Sequence, residues 1–155
     1  MIRVAIITVS DSTAAGTRED RSGPELVKKA TELGWEVAET KVVSDDLLEV
    51  RQALLTAVAD VILTTGGTGV APRDRAPEAS RSIADFEIPG FGELMRSEGL
   101  KKTRFAPLSR SAAFAHKQTL ILNLPGSPQG AVESLEAVAH LIPHAIDLLH
   151  GRTQH

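Results

Sequence analysis

The chain has 155 residues, a formal net charge of -3, 42% apolar and 3% aromatic residues, and no cysteine. This length and polarity predict one folded domain with a buried core, and the lack of cysteine excludes disulfides, thiolate metal sites and cysteine nucleophiles. The mildly acidic balance and the scarcity of aromatic residues argue against nucleic-acid binding, and no apolar run is long enough to cross a membrane.

The first third of the chain alternates strand and helix patterns. Residues 2–9 are apolar and β-branched, which is typical of a buried strand rather than of a signal peptide, so we expect a cytoplasmic protein. Residues 10–21 are polar and predict a loop. Ser22 and Glu25 have capping-box spacing, so a helix should begin there and end at Gly34. Residues 35–43 predict a second strand.

A second helix and a third strand follow. Asp46 can cap a helix, which is predicted to bury an apolar stripe of Leu47, Val50, Leu54 and Val58. The apolar run from Val61 to Leu63 then predicts a strand buried on both faces. Strands and helices alternating at this spacing indicate βαβ units. We therefore expect an α/β fold, a single three-layer domain over residues 1–150 with a central, mostly parallel sheet flanked by helices, and a frayed tail at 151–155.

The second half of the chain is less regular. Pro77 should occupy the first position of a short helix, which would make Ala76 its N-cap. Residues 91–100 predict another helix. A short strand at 111–115 should form a hairpin with a buried strand at 119–124.

The C-terminal part predicts one long helix. Ser127 should be its N-cap and Pro128 its first residue. We expect the helix to continue to about Leu149 with a kink at Pro143.

Two turns at strand ends are candidate anion sites. The first comprises Thr65, Gly66, Gly67, Thr68 and Gly69, and its glycines would let the backbone approach a ligand closely. The second comprises Pro125, Gly126 and Ser127, at the N-terminus of a helix whose N–H groups are free to bind phosphate. Both should lie at the ligand-binding edge of the sheet. The glycines are equally consistent with a tight turn that needs positive φ angles.

Two carboxylates should share that edge. Asp45 follows the second strand, and Asp74 lies in the loop after the glycines. Carboxylates beside a phosphate site would repel a nucleotide unless a divalent cation such as Mg²⁺ lay between them. Each aspartate could instead be an ordinary solvated helix-start or turn residue. We interpret Asp46 only as a cap.

Basic side chains occur in the same loops. Arg73, Arg75, Arg104 and Arg110 could each bind a phosphate through two hydrogen bonds, although each could equally be a surface arginine. His140 and His144 have metal-pair spacing, but we interpret them as surface residues because no third ligand accompanies them.

Several motifs occur together in one order. They are Val9-Ser10-Asp11-Ser12, Thr64-Thr65-Gly66-Gly67-Thr68-Gly69, Arg73-Asp74 with Pro77-Glu78-Ala79, Pro89-Gly90-Phe91-Gly92-Glu93 with Met95-Arg96, Leu108-Ser109-Arg110, and Asn123-Leu124-Pro125-Gly126-Ser127-Pro128. Together they resemble the MogA/MoaB family of molybdenum cofactor biosynthesis proteins, which includes the gephyrin G domain. The resemblance covers nearly the whole chain.

The resemblance implies a fold, an assembly and an activity. The family has a mostly parallel α/β fold and usually forms a homotrimer. Its MogA-type members are molybdopterin adenylyltransferases, which use Mg-ATP to attach AMP to molybdopterin, and their product passes to a MoeA-type molybdenum insertase. The family's two functional aspartates match Asp45 and Asp74, and Ser109 and Arg110 should line the pocket. Exposed Phe86, Ile88 and Phe91 should form the subunit interface or cover the pocket.

One departure from the family leaves alternatives open. Relatives usually have threonine where this chain has Ala76. The chain could therefore be a non-catalytic molybdopterin-binding paralogue that acts as a carrier or scaffold. A nucleotide hydrolase of the competence-damage type is a third alternative. The leading expectation is a molybdopterin adenylyltransferase that binds neither nucleic acid nor a membrane.

Overall fold

A mixed six-stranded sheet forms the centre of the computed structural model, which describes residues 1–152. The strands are β1 (Arg3–Val9), β2 (Glu36–Val43), β3 (Val61–Thr65), β4 (Phe86–Glu87), β5 (Ala113–His116) and β6 (Thr119–Leu124). Their spatial order is β2-β1-β3-β6-β5-β4. The first four in this order run parallel, whereas β5 pairs antiparallel with β6 and β4 pairs antiparallel with β5. The predicted α/β class is confirmed.

Helices cover both faces of the sheet. They are α1 (Asp11–Ala14), α2 (Ser22–Glu32), α3 (Leu47–Thr56), α4 (Ala76–Ile83), α5 (Pro89–Gly99), α6 (Pro128–Val138) and α7 (Ile142–Leu149). One face buries apolar side chains against α2, α5, α6 and α7, and the other buries them against α3 and α4. Side chains alternate along each strand, so Leu63 packs into the first core while Ile62 packs into the second. Within residues 1–152, none of the helices is long and apolar enough to cross a membrane.

The start of α2 differs from the predicted capping box. The helix already includes Ser22, and its preceding residue, Arg21, makes no side-chain cap. The cap comes from Asp20, whose Oδ1 accepts a hydrogen bond from the Gly23 amide at 3.0 Å. Its Oδ2 accepts a second bond from the Thr8 hydroxyl at 3.0 Å, which ties the loop to β1. The predicted loop over residues 10–21 also contains α1, capped by the hydroxyl of Ser10.

Ala76 is not the N-cap of α4, contrary to prediction. It is the first helical residue, and Arg75 occupies the cap position without a side-chain hydrogen bond. Ala76 is fully buried, and its amide donates to the Gly67 carbonyl at 3.1 Å. A threonine here would therefore not act as a helix cap, because the side chain at this position is buried in packed protein and belongs to the first helical residue.

Other boundaries depend on tertiary contacts. The predicted C-terminal helix is interrupted by a 3₁₀ turn at Ala139–Leu141, and Pro143 lies in the first turn of a separate helix instead of kinking a continuous one. Helix α5 begins at Pro89, earlier than predicted.

Val58 lies beyond α3 and is 74% exposed, whereas Phe91, expected at the surface, is buried in the core. Phe86 is exposed, as expected.

The C-terminal boundary is partly outside the structural description. Gly151 and Arg152 follow α7 as a short turn, in which the Arg152 amide donates to the Asp147 carbonyl at 2.8 Å. The remaining residues of the predicted tail, 153–155, lie outside the described residues.

The first glycine of the turn after β3 is required by sterics. Gly66 has a φ angle of 103°, and a Cβ atom there would lie 2.2 Å from the carbonyl oxygen of Val9. The turn therefore packs directly against the end of β1. Its conformation is available to glycine alone.

Replacing Gly66 with alanine should destabilise the protein by about 3 kcal/mol, because the methyl group adds backbone strain and a collision with the main chain. Gly34→Ala is the matched control: its φ angle is also positive, at 83°, but nothing lies within 4 Å of the added atom. It should cost only about 1 kcal/mol. Chemical denaturation measures both values, and equal losses would show that the collision with Val9 is unimportant.

Candidate active site

Four strands present their carboxyl ends at one edge of the sheet, and charged residues follow three of them. Asp11 comes directly after β1, Asp45 follows β2, and Arg73 and Asp74 lie in the loop between β3 and α4. Because β1, β2 and β3 are adjacent and parallel, these residues meet at one corner of the molecule. This corner, comprising Asp11, Asp45, Arg73 and Asp74, is called the acidic corner below.

Hydrogen bonds join three residues of the acidic corner. The Asp11 amide donates to Asp45 Oδ2 at 2.9 Å, and the Asp45 amide donates to Asp11 Oδ1 at 3.0 Å. Arg73 binds the Asp11 carboxylate through two bonds, from Nε at 2.9 Å and from Nη2 at 2.7 Å. A bidentate pair of this kind fixes the orientation of the guanidinium group. Asp11 thereby holds together the loops that follow β1, β2 and β3.

The negative charges of the acidic corner repel one another and are only partly compensated by Arg73. Burial raises the pKa of Asp45 above its ordinary value, and the negative charges of Asp11 and Asp74 raise it further, against a hydrogen bond with Asp11 that lowers it. The hydrogen bond from Arg73 lowers the pKa of Asp11. Arg73 therefore compensates mainly for Asp11, and the negative charges of Asp45 and Asp74 repel each other. This repulsion would be relieved by a bound cation.

The acidic corner fits a divalent cation that takes most of its ligands from elsewhere. Within residues 1–152, no three His, Asp or Glu side chains are grouped so as to hold a metal ion alone. Magnesium, however, is commonly bound by one or two carboxylates together with water and substrate phosphates. Asp45 and Asp74 match that donor set, in agreement with their mutual repulsion.

The two predicted anion-binding turns touch each other. The Gly66 amide donates to the Leu124 carbonyl at 3.0 Å, and the Thr65 hydroxyl donates to the Pro125 carbonyl at 2.7 Å. A Cβ atom on Gly126 would lie 3.3 Å from the Cα atom of Gly66. Thr65 was expected to contact substrate, but its side chain is fully buried and joins the two turns.

The second turn has the predicted helix start. Ser127 is the N-cap of α6, and its hydroxyl accepts a hydrogen bond from the Gly130 amide at 3.1 Å. Pro128 is the first helical residue. The positive end of the α6 dipole therefore points toward the same edge of the sheet as the acidic corner.

A cavity of about 410 Å³ lies beside the second turn, between α5 and α6. Pro125, Ser127 and Ser109 contribute to its wall. Apolar side chains, including Met95 and Phe105, form part of the rest, and charged side chains also line it, namely Arg96, Glu98, Lys102, Glu133 and Glu136. Its volume is within the range of small-molecule sites, and its mixture of apolar surface with hydroxyl groups is typical of them. Asp45 and Asp74 are not part of this wall, so the predicted single pocket is in fact two neighbouring regions joined by the glycine turn.

Two arginines near the cavity and the glycine turn support the backbone. Arg96 Nη1 donates to the Ser111 carbonyl at 2.8 Å and to the Ser109 carbonyl at 3.3 Å. Arg110, expected to bind a phosphate, donates to the Gly69 carbonyl at 2.8 Å and to the Asp74 carbonyl at 2.8 Å. A third bond from Arg110 reaches the carboxylate of Glu78. Its guanidinium group therefore faces the loop that carries Asp74.

Neither Asp11 nor Arg96 is among the predicted site residues. Asp11 has the same signal as Asp45, because each lies two residues beyond the end of a predicted strand of the parallel sheet. Arg96 belongs to a family motif, but its role could not be predicted, since its bonds reach carbonyl groups 13 and 15 residues away along the chain. Arg75 and Arg104 do not join the acidic corner through any hydrogen bond found within residues 1–152, and Arg104 lies over the ring of Phe105.

A family sequence model described as a "probable molybdopterin binding domain" matches residues 5–144, which is most of the chain. The chain belongs to the MogA/MoaB family of molybdopterin-binding proteins. This confirms the resemblance drawn from the motifs. The match spans every residue of the acidic corner and both turns.

Relatives of the chain in this family include two named enzymes. A molybdopterin adenylyltransferase from Helicobacter pylori strain J99 is 37% identical over 97% of this chain and 89% of its own length. A molybdenum cofactor biosynthesis bifunctional protein from Synechococcus elongatus is 37% identical over 94% of this chain. The chain spans only 47% of that bifunctional protein, so the similarity concerns one part of it.

A solved MogA/MoaB structure matches the fold closely. The molybdopterin biosynthesis enzyme MoaB from Thermus thermophilus superposes with a TM-score of 0.91 at 48% identity. The match covers 97% of this chain and 98% of the other. The six-stranded sheet and its flanking helices are therefore those of the family.

Proposed function

We propose that the protein is a molybdopterin adenylyltransferase that transfers AMP from Mg-ATP to the terminal phosphate of molybdopterin and releases pyrophosphate. The observation that carries this proposal is the contact between the two turns: Thr65 donates to Pro125 and so joins the glycine turn, which leads to Asp74, to the turn that lines the cavity. Two substrates bound in these adjacent regions would meet at the glycine turn. The named adenylyltransferase from Helicobacter pylori supports the same activity.

Each region suits one substrate. The cavity between α5 and α6 combines apolar surface with charged side chains and the hydroxyl groups of Ser109 and Ser127, a mixture that fits the flat, polar-edged ring system of a pterin. The acidic corner suits the triphosphate of Mg-ATP, whose phosphates would otherwise be repelled by Asp45 and Asp74. The backbone amides of Gly67, Thr68 and Gly69 would then face the reacting phosphates, whereas the Gly66 amide is bonded to the Leu124 carbonyl.

The proposed reaction needs no protein nucleophile. An oxygen of the molybdopterin phosphate attacks the α-phosphorus of ATP and forms a new P–O bond, while the bond from that phosphorus to the bridging oxygen of the β-phosphate breaks. The electron pair leaves with pyrophosphate. The attacking phosphate is already ionised near neutral pH, so the protein has only to position the reactants and stabilise developing charge.

The residues of the acidic corner have separate roles in this proposal. Asp45 and Asp74 would hold Mg²⁺, which supplies charge neutralisation for the phosphates when bound. Asp11 and Arg73 keep Asp45 in place through the hydrogen bonds described above. The Arg73 side chain is well exposed, and its Nη1 group, which takes no part in the bonds to Asp11, would face the incoming triphosphate.

The wider setting of the enzyme follows from the same proposal. We expect it to act in the cytoplasm, where ATP is available, to form a homotrimer and to hand its product to a MoeA-type molybdenum insertase. Exposed apolar side chains at Phe105 and Leu108, beside the cavity, support burial of this surface in an assembly. Light scattering of the purified protein would test the assembly directly.

Pyrophosphate release with and without molybdopterin tests the function. The proposal predicts release from Mg-ATP only when molybdopterin is present, and none after the divalent cation is removed with a chelator. Binding of molybdopterin without any release would indicate a carrier or scaffold. Release that does not need the pterin would indicate a nucleotide hydrolase of the competence-damage type.

A further inference from the structure

The loop from Thr68 to Arg75 carries Asp74 but contains no helix or strand of its own. It connects the glycine turn to α4. Among the described residues, two hydrogen bonds within the loop define its shape: the Asp74 amide donates to the Ala71 carbonyl at 3.0 Å, and the Ala71 amide donates to Asp74 Oδ2 at 2.9 Å. A turn held by two bonds at the surface is expected to open readily unless something outside it holds it closed.

Arg73 ties the loop to Asp11, and Arg110 supplies further outside support. Its backbone amide donates to the Thr68 carbonyl at 2.7 Å, at the start of the loop. Its side chain then donates from Nε to the Gly69 carbonyl and from Nη2 to the Asp74 carbonyl, each at 2.8 Å. The third donor, Nη1, binds Glu78 Oε2 in the first turn of α4. One residue therefore contacts the beginning, the end and the continuation of the loop.

The contact with Asp74 is the most consequential of the four. The carboxylate of Asp74 is held by the Ala71 amide, and its carbonyl is held by Arg110, so both polar ends of the residue are fixed. The fit is tight, because a Cβ atom on Gly69 would lie only 2.8 Å from Asp74 Oδ2. A small movement of the loop would therefore displace the carboxylate.

Glu78 is adapted to this pairing. Burial by itself would raise the pKa of Glu78, but the hydrogen bond from Arg110 opposes this effect and the pKa lies below its ordinary value. The Glu78 Oε1 atom is buried and has no hydrogen-bond partner within the described residues. Glu78 thus presents a charged acceptor to Arg110, and no competing side-chain bond draws its carboxylate away.

We propose that Arg110 is a positioning residue: its guanidinium group holds the Thr68–Glu78 segment in the conformation that presents Asp74 to the substrates. It does not itself bind a phosphate, because its fork of donors is directed to three protein oxygens. The catalytic consequence rests on the proposed adenylyl transfer. The structural consequence is that the loop is held closed in the ligand-free protein, and it does not depend on the proposed adenylyl transfer.

Arg110→Lys is the decisive variant, with Arg51→Lys on the exposed surface of α3 as the matched control. Lysine keeps the charge but cannot direct fixed donors to three separate oxygens. Amide hydrogen exchange of ligand-free protein should show about tenfold or faster exchange in the Thr68–Glu78 segment for the Arg110 variant. Glu78→Gln, which keeps an acceptor but loses the charge, should show a smaller increase in the same segment. The control should match the wild type.

Kinetics separate positioning from other roles. At a temperature where all variants are folded, Arg110→Lys should lower kcat by about 10- to 100-fold and leave both KM values within about threefold of wild type. A raised KM with unchanged kcat and unchanged exchange would make Arg110 a substrate ligand and overturn the proposal. A lower Tm with wild-type kcat and exchange would make it a structural residue only, which also overturns it.

The same variants distinguish failure of this inference from failure of the proposed function. If the wild type forms no adenylylated product, the adenylyltransferase proposal fails, and hydrogen exchange alone decides whether Arg110 holds the loop. Faster exchange confined to the Thr68–Glu78 segment would support the positioning role even then. Wild-type exchange in Arg110→Lys would contradict it.

Discussion

Replacing Asp74 with asparagine should lower adenylyl transfer by about 10³-fold while leaving the fold intact. Asparagine has nearly the same shape as aspartate and keeps an oxygen that can accept the bond from the Ala71 amide. It lacks the negative charge needed to bind Mg²⁺ beside the triphosphate. The loss should therefore appear in turnover and not in the unfolding transition.

Asp85→Asn is the matched control for this variant. Asp85 also uses its carboxylate to accept a backbone hydrogen bond, from the Lys117 amide at 2.7 Å, but it precedes β4, at the opposite edge of the sheet from β2. Turnover of the Asp85 variant should equal that of the wild type. Equal turnover in the Asp74 and Asp85 variants would show that Asp74 is only a turn former.

Replacing Asp45 with asparagine should lower turnover by about 10²-fold, because the acidic corner loses the second of its two proposed metal ligands. The neighbouring residue provides an unusually close control. Asp46 caps α3 by accepting a bond from the Glu49 amide, and asparagine is an equally good cap. Asp46→Asn should therefore keep full activity, although it removes the same charge from an adjacent position.

The stability of the Asp45 variant has a defined dependence on pH. Because folding raises the pKa of Asp45, mainly through burial, its ionised form is disfavoured in the folded state; it lowers stability increasingly as the pH rises above the ordinary aspartate pKa, and fully above the raised pKa. Asp45→Asn should consequently have a Tm at least as high as that of the wild type near neutral pH. The difference should disappear as the pH falls below the ordinary range for an aspartate. A Tm lowered at neutral pH would contradict this account of the acidic corner.

Local sequence signals determined most of the fold. Val61 to Leu63 form the expected buried strand, and Ser127 caps the expected helix, because both features depend on neighbouring residues only. The prediction for Ser22 was wrong because Asp20, slightly earlier in the chain, provides a competing cap that also reaches Thr8. Phe91 was misplaced because its burial depends on how α5 packs on the sheet, which its local pattern does not specify.

In the candidate site, too, some features followed from local sequence patterns and others depended on contacts between distant residues. Placement of Asp45 and Asp74 at one edge followed from parallel strands alone, and the structure brings their charges together. The roles of the arginines could not be read in this way. Arg73 pairs with Asp11, which is 62 residues distant along the chain, and Arg110 bonds to carbonyl groups, which every residue possesses and no sequence pattern marks.

Formation of adenylylated molybdopterin from ATP and molybdopterin, identified by mass spectrometry, tests the central claim most directly. The proposed reaction predicts one adenylylated pterin for each pyrophosphate released, with the AMP derived from the α-phosphate of ATP. Purified wild-type protein that binds molybdopterin but forms no such product above an enzyme-free control, with Mg²⁺ and ATP in excess, would contradict it.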